Sequence, residues 1–144
     1  MKHGLIFGLL LLSVTMPLSA CSNPGEGTAT SEITSVQVNE FDYKIVSPIV
    51  TFAPGKAYHF QVKNAGNKAH EFMIMPKSLG KMSGMSMKEM DKLALARLGN
   101  IAPGQTATLD FTFPSSSAKS QLEFACHYPG HYEAGMMQEI SVNA

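Results

Sequence analysis

The run Cys126-His-Tyr-Pro-Gly-His131-Tyr-Glu-Ala-Gly-Met136 constrains this chain more than any other segment. It sets a thiol, an imidazole and a thioether at equal five-residue steps around a Pro129-Gly130 turn. Those are the soft and borderline donors that copper prefers. A further imidazole, His70, lies far upstream in a segment that reads as a strand. Two histidines and one cysteine, with a weakly held methionine, suit a copper ion that changes charge by one electron. A fold that uses all four donors has to bring two distant segments to one place and hold them still.

The first 20 residues read as an address rather than as structure. Met1-Lys2-His3 is a short basic start, Gly4 to Leu18 is apolar, and Leu18-Ser19-Ala20-Cys21 sets small residues ahead of a cysteine. The apolar run, about 15 residues, is shorter than the roughly 20 that a membrane-spanning helix needs. The segment resembles the leaders of bacterial lipoproteins, which implies cleavage before Cys21 and a lipid on that residue. The alternative is an ordinary signal peptide with a chance cysteine. Ser22 after the cysteine is, by the sorting rules of that class, associated with the outer membrane of a Gram-negative cell. The expected location is therefore exported and bacterial, lipid-anchored in the periplasm or at the outer membrane.

This assignment changes the meaning of the two cysteines. An exported chain with two cysteines invites a disulfide reading. An acylated Cys21 cannot pair, so Cys126 is left as a free thiol exposed to an oxidising compartment. Metal ligation gives such a thiol a reason to exist. Residues 21–32, rich in Ser, Gly, Thr, Asn and Pro, read as the lipidated cysteine and a flexible tether. Residues 33–144 are a comfortable length for one domain. Removing Lys2 with the leader leaves about one net negative charge and no basic run, which gives no support for nucleic-acid binding.

Within the domain, short β-type runs alternate with turn signals. Ile33 to Val38, Phe41 to Val46, Ile49 to Phe52 and Ala57 to Asn64 come first, with Ala53-Pro-Gly-Lys56 as a turn. In the next run His70, Phe72 and Ile74 share one face, with Glu71, Met73 and Met75 on the other. After Gly99 come Thr106 to Phe113, then Leu122, Phe124 and Cys126 in one parity, then a closing strand over Met137 to Val142. Seven to eight short strands at this spacing predict an all-β sandwich. Residues 77–100 break the pattern as a Met-rich helical insert. Ser86 and Glu89 have capping-box spacing, Met87, Met90, Leu93, Ala94, Arg97 and Leu98 follow in helical style, and Gly99 fits the residue just past a helix end.

The domain resembles the cupredoxins, the small type 1 copper proteins, over nearly all of residues 33–144. Phe60-Gln-Val62-Lys-Asn64 followed by His70-Glu-Phe72 is similar to the family's first-histidine region. The Cys126-x4-His131-x4-Met136 loop is similar in spacing to rusticyanin- and sulfocyanin-type members. The resemblance implies a Greek-key β-sandwich with one type 1 copper per chain. It implies His70, Cys126 and His131 as equatorial ligands and Met136 as the axial one, with Met137 a competitor for that place. Many members carry Asn after the first histidine, where it braces the cysteine loop. Glu71 stands there in this chain, so the bracing differs or is missing.

On this reading the protein is not an enzyme but a monomeric carrier of single electrons. Its partner would be a cytochrome or a copper oxidase or reductase docking near the edge of His131. The alternative is copper homeostasis or resistance, with Met82, Met85, Met87 and Met90 handling Cu(I). Those four can equally form an adaptable apolar patch that packs the helix on the sandwich. His127 points away from the expected copper, which gives it a surface or supporting role or else an auxiliary metal contact. His59 reads as solvent-exposed.

Overall fold

The computed structural model describes residues 32–77 and 85–143. The leader, Cys21, most of the tether and Met82 lie outside the described residues. Among the described residues, nine strands form two sheets: β1 (Thr34–Phe41), β2 (Lys44–Val46), β3 (Thr51–Phe52), β4 (Ala57–Asn64), β5 (His70–Pro76), β6 (Ala96–Ile101), β7 (Thr106–Thr112), β8 (Gln121–Ala125) and β9 (Met137–Val142). One helix, α1 (Met87–Leu93), precedes β6. The four-stranded sheet has the order β2-β1-β4-β7 and the five-stranded sheet β3-β9-β8-β5-β6. β1 runs parallel to β4 and β3 parallel to β9, and the other ladders are antiparallel. This is the Greek-key sandwich the sequence predicts.

Strand alternation places the core. Val36 and Val38 of β1 lie beside Phe60 and Val62 of β4, and all four are buried. From the other sheet Phe72, Ile74, Leu122 and Phe124 close over them. Phe52 stacks on Phe113 at 4.8 Å between ring centres, and Phe72 meets Phe124 at 5.0 Å. Large rings interdigitating between sheets make a stiff wall. The same parity carries two polar side chains inward at the end of these strands, Glu40 beside Asn64. Asn64 Nδ2 donates to the carbonyls of Lys68 and Ile101 at 2.7 and 2.8 Å, and its Oδ1 accepts from the Gly66 N–H at 2.9 Å. These bonds shape the loop that delivers His70.

Two local expectations are corrected. Phe41 to Val46 is not one strand but a tight hairpin, Phe41 pairing with Lys44 around Asp42-Tyr43. Tyr43 adopts a φ of 65° to make the turn. The helix is also shorter than its pattern suggests. It begins as expected, with the Glu89 carboxylate accepting from the Ser86 N–H at 2.8 Å and Oγ at 2.7 Å. It ends at Leu93, and Arg97 and Leu98 belong to β6, where Leu98 pairs with Phe72. Gly99 is no helix cap. It lies in an irregularity of the β5–β6 ladder, between the His70–Ile101 and Phe72–Leu98 pairs, where β6 carries an extra residue. The free edge of β5 wins over local helical preference because pairing satisfies its backbone and buries half of Leu98.

Glu40 was not singled out by the sequence, although its parity with Val36 and Val38 marks it. Both carboxylate oxygens are buried without a hydrogen-bond partner. Burial, reinforced by the nearby charge of Glu71, pushes its pKa up to about 8. A carboxyl whose folded value is raised supports the fold fully below its unfolded pKa and loses that support as pH rises through the folded one. The loss is on the order of 1.4 kcal/mol per pH unit between about 4.5 and 8. Urea unfolding of the copper-free protein at pH 5, 7 and 9 is expected to show this decline, and Glu40→Gln to flatten it. Parallel curves for the two proteins would disprove the assignment.

Candidate metal centre

At one end of the sandwich, donor atoms of His70, Cys126 and His131 lie within 4.8 Å of one another, and all three residues are buried. His70 enters at the start of β5, Cys126 directly follows β8, and His131 returns from the intervening turn. His70 Nδ1 faces His131 Nδ1 at 3.3 Å, and Cys126 Sγ faces His131 Nδ1 at 3.4 Å. Ring nitrogens and a thiol pointed at one another share few protons. Their lone pairs converge away from water, which a soft cation satisfies and a hydrogen-bond network does not. The Met136 side chain is fully buried in the same inter-sheet core as Cys126. The Met136 main chain accepts from the Cys126 N–H at 3.2 Å and donates to the His131 carbonyl at 3.0 Å. Met137 is only half-buried and packs instead against Met73, Met75 and Ala125 on the outer face.

The surroundings hold these donors in place. Asp42 Oδ1 lies 3.3 Å from His70 Nε2, the ring nitrogen turned away from the cluster. The same carboxylate accepts from the N–H groups of Asn67 and Lys68 at 3.0 and 3.2 Å. Desolvation pulls Asp42 upward, but those donors and the neighbouring imidazole leave it below its ordinary value. Burial, with His131 adding, holds His70 below the usual histidine range, so its ring stays neutral. A carboxylate 3.3 Å from the far nitrogen, close but short of hydrogen-bond geometry, favours the proton on that side and leaves the other lone pair aimed inward. The Tyr43 ring stands edge-on to His131 at 5.4 Å. Burial pushes the Cys126 thiol up to about 11 despite backbone N–H donors from Glu71 and Tyr128.

Glu71 resolves the question its position raises. It is fully buried, its N–H points at Cys126 Sγ at 3.5 Å, and its Oε1 accepts from the His127 N–H at 3.1 Å. The cysteine loop is therefore braced, by a carboxylate. Arg97 Nη2 meets Glu71 Oε2 at 3.1 Å, and Arg97 Nη1 meets Asp91 Oδ2 of α1 at 2.7 Å. Desolvation raises the Glu71 pKa, while the His127 N–H and Arg97 oppose the rise. Asp42 and Gly66 escaped the sequence reading as site residues, and Arg97 enters it only as part of a helical pattern. Only Glu71 carried a signal, as the residue standing where many cupredoxins have Asn after the first histidine.

Gly66 is needed for close approach. A Cβ there would press into the Asp42 carboxylate and sit 2.9 Å from both the Asp42 nitrogen and His70 Nε2. Gly66→Ala is expected to cost about 1–3 kcal/mol through forced displacement and to shift the visible spectrum of the copper-loaded protein. Unchanged stability and spectrum would show that the loop yields freely.

Of the methionines in the insert, Met85 and Met87 are half-buried and Met90 is buried. His127 is buried, not at the surface, with its ring stacked on Tyr132 at 4.4 Å. Its Nε2 lies 3.0 Å from Met75 Sδ. Burial holds its pKa below the usual value.

No family model matches the chain. Among solved structures, reduced auracyanin from Roseiflexus castenholzii superposes with a TM-score of 0.61, covering 77% of this chain and 98% of that one at 18% identity. Auracyanin A, a blue copper protein from Chloroflexus aurantiacus, gives 0.61 over 78% and 100% at 15% identity. An azurin from Methylomonas sp. strain J gives 0.58 over 77% and 98% at 16% identity. Fold and donor cluster together define a cupredoxin-like copper protein with a single copper at this site.

Sequence relatives narrow this further. The copper-resistant cuproprotein CopI of Vibrio cholerae is 30% identical over 137 residues, covering 87% of this chain and 73% of that protein. CopI of Pseudomonas aeruginosa is 26% identical, covering 93% of each. The chain belongs to the CopI family of copper-resistant cuproproteins.

Proposed function

We propose that the protein binds copper between His70, Cys126 and His131, with Met136 as a weak fourth ligand, and serves the cell's tolerance of excess copper. The observation that carries the reading is the buried convergence of two imidazole nitrogens and one thiol. The copper-resistant CopI relatives support resistance as the purpose. Asp42 orients His70, Glu71 braces the loop that carries Cys126, and neutral His70 presents a lone pair without first losing a proton. Copper bound there would supply a one-electron couple.

Carriage of single electrons is the second reading, favoured by Tyr43. This ring is 41% exposed and packs edge-on to His131, so a redox partner docking over it would reach the site's solvent-near rim. The two readings share one metal site. We place the protein outside the cytoplasm, held to a membrane by lipid on Cys21, acting as a binding protein rather than as an enzyme.

The test is a Cu(II) titration of the purified protein, followed in the visible region. One equivalent is expected to produce an intense thiolate-to-copper band, and a colourless protein at full occupancy would overturn the site. A strain lacking the gene is expected to be copper-sensitive and rescued by the wild type. Undiminished growth of that strain on copper would remove the resistance reading and leave electron carriage.

A further inference from the structure

We infer that the outer face of the five-stranded sheet carries a second copper site, selective for Cu(I), built on His127 Nε2 and Met75 Sδ. The inference deepens the copper-tolerance reading and rests on it for the identity of the metal.

Strand alternation creates the second face. Cys126 points between the sheets, so its neighbour His127 points out of them, on the same side as Ala125 and Met75. The side chain nevertheless remains buried, with its ring lying flat on Tyr132 at 17° between planes. The hydroxyl of Tyr132 donates to Glu123 Oε1 at 2.9 Å, which holds that ring in place. His127 Nε2 and Met75 Sδ approach to 3.0 Å. With metal–nitrogen and metal–sulfur bonds of about 2.0 and 2.3 Å at a tetrahedral angle, as at zinc, two donors lie roughly 3.5 Å apart, so a shift of about half an ångström in the flexible Met75 side chain admits an ion between them. A thioether is a weak acceptor, so an imidazole N–H gains little from it. An ion shared between the two uses both lone pairs.

More sulfur is close by. Ala125 pairs with Met73 on one side and Met137 on the other. Only a methyl group separates the two thioether side chains, and both pack in the Met75 cluster. Ala94, immediately after α1, packs on the same cluster, which brings the C-terminal end of that helix against it. Imidazole with thioethers and no thiolate is a soft, uncharged set that favours Cu(I) over Cu(II). The two sites are joined covalently, because Cys126 and His127 are adjacent residues facing opposite sides of one strand end.

The test is an anaerobic Cu(I) titration of the full mature protein against a chromophoric Cu(I) chelator. The wild type is expected to bind two Cu(I) per chain. Met75→Leu and His127→Phe, which preserve volume and ring stacking, are each expected to bind one while keeping the visible Cu(II) band. That band serves as the control for folding. Cys126→Ser is expected to retain one Cu(I), bound by the second site. One Cu(I) in the wild type, or two in Met75→Leu, would overturn the proposal. So would loss of the second ion only when Met82, Met85 and Met87 are replaced by Leu, which would assign it to the insert. A wild type without the coloured Cu(II) complex strikes at the first site alone and leaves this count standing.

Discussion

Replacing Cys126 by serine is expected to abolish the visible Cu(II) band and to weaken binding at the His70–Cys126–His131 site by well over a hundredfold. Loss of a residue that merely supports a metal ligand costs roughly 10–100-fold in affinity, and here a donor itself goes. The wild-type thiol carries a second, quantitative signature. Burial pushes Cys126 up to about 11, so at neutral pH the copper-free protein holds the proton. Copper has to displace it, because the thiolate is the ligand. Affinity is therefore expected to rise about tenfold per pH unit between pH 6.5 and 9, with close to one proton released per copper. His70 contributes little to this slope, since its ring is already neutral over that range. Calorimetric titration in two buffers of different ionisation enthalpy measures the proton count. A pH-independent affinity would mean that the thiol is ionised before copper arrives.

The second large effect is expected at Glu71. Glu71→Ala leaves the buried N–H of His127 without its acceptor, a loss of about 1–3 kcal/mol. It also frees the loop that carries Cys126, with a roughly 10–100-fold fall in copper affinity. Glu71→Gln keeps the oxygen for His127 and is expected to preserve most of both. Arg97→Ala is the milder partner change. Its side chain is 40% exposed and holds Asp91 as well as Glu71, so water can replace part of what is removed. A value of about 1 kcal/mol is expected there. Thermal unfolding with and without copper, alongside the visible spectrum, checks all three. Equal behaviour of Glu71→Ala and wild type would assign the bracing of the loop to other contacts.

The ion pairs also couple two parts of the protein that look separate in sequence. Asp91 sits on α1, Arg97 on β6, and Glu71 beside the ligand His70. Movement of the Met-rich insert would thus be felt at the cysteine loop through one guanidinium. The link depends on β6 being a strand. Helical spacing of Leu93, Ala94, Arg97 and Leu98 points elsewhere, and the structure departs from it because β5 offers a free backbone edge. Phe41 to Val46 shows the same limit. Its residues suit a strand, but a turn at Asp42-Tyr43 places a carboxylate on His70 and a ring on His131.

The donor run from Cys126 to Met136, the distant His70, the sandwich and the copper were all written in the sequence. Their signals are local: a spacing on one loop, an alternation along each strand, and donor chemistry that few other sites need. What the sequence could not supply lies between segments. Asp42 behind His70, Gly66 making room for both, Glu71 turned toward His127, and the meeting of His127 with Met75 follow from how two sheets and a short helix pack. Such contacts join residues far apart in the chain, and no periodicity records them. Tertiary structure alone decided that Glu71 braces the copper loop, and that the histidine after the cysteine faces Met75 and Tyr132 rather than solvent.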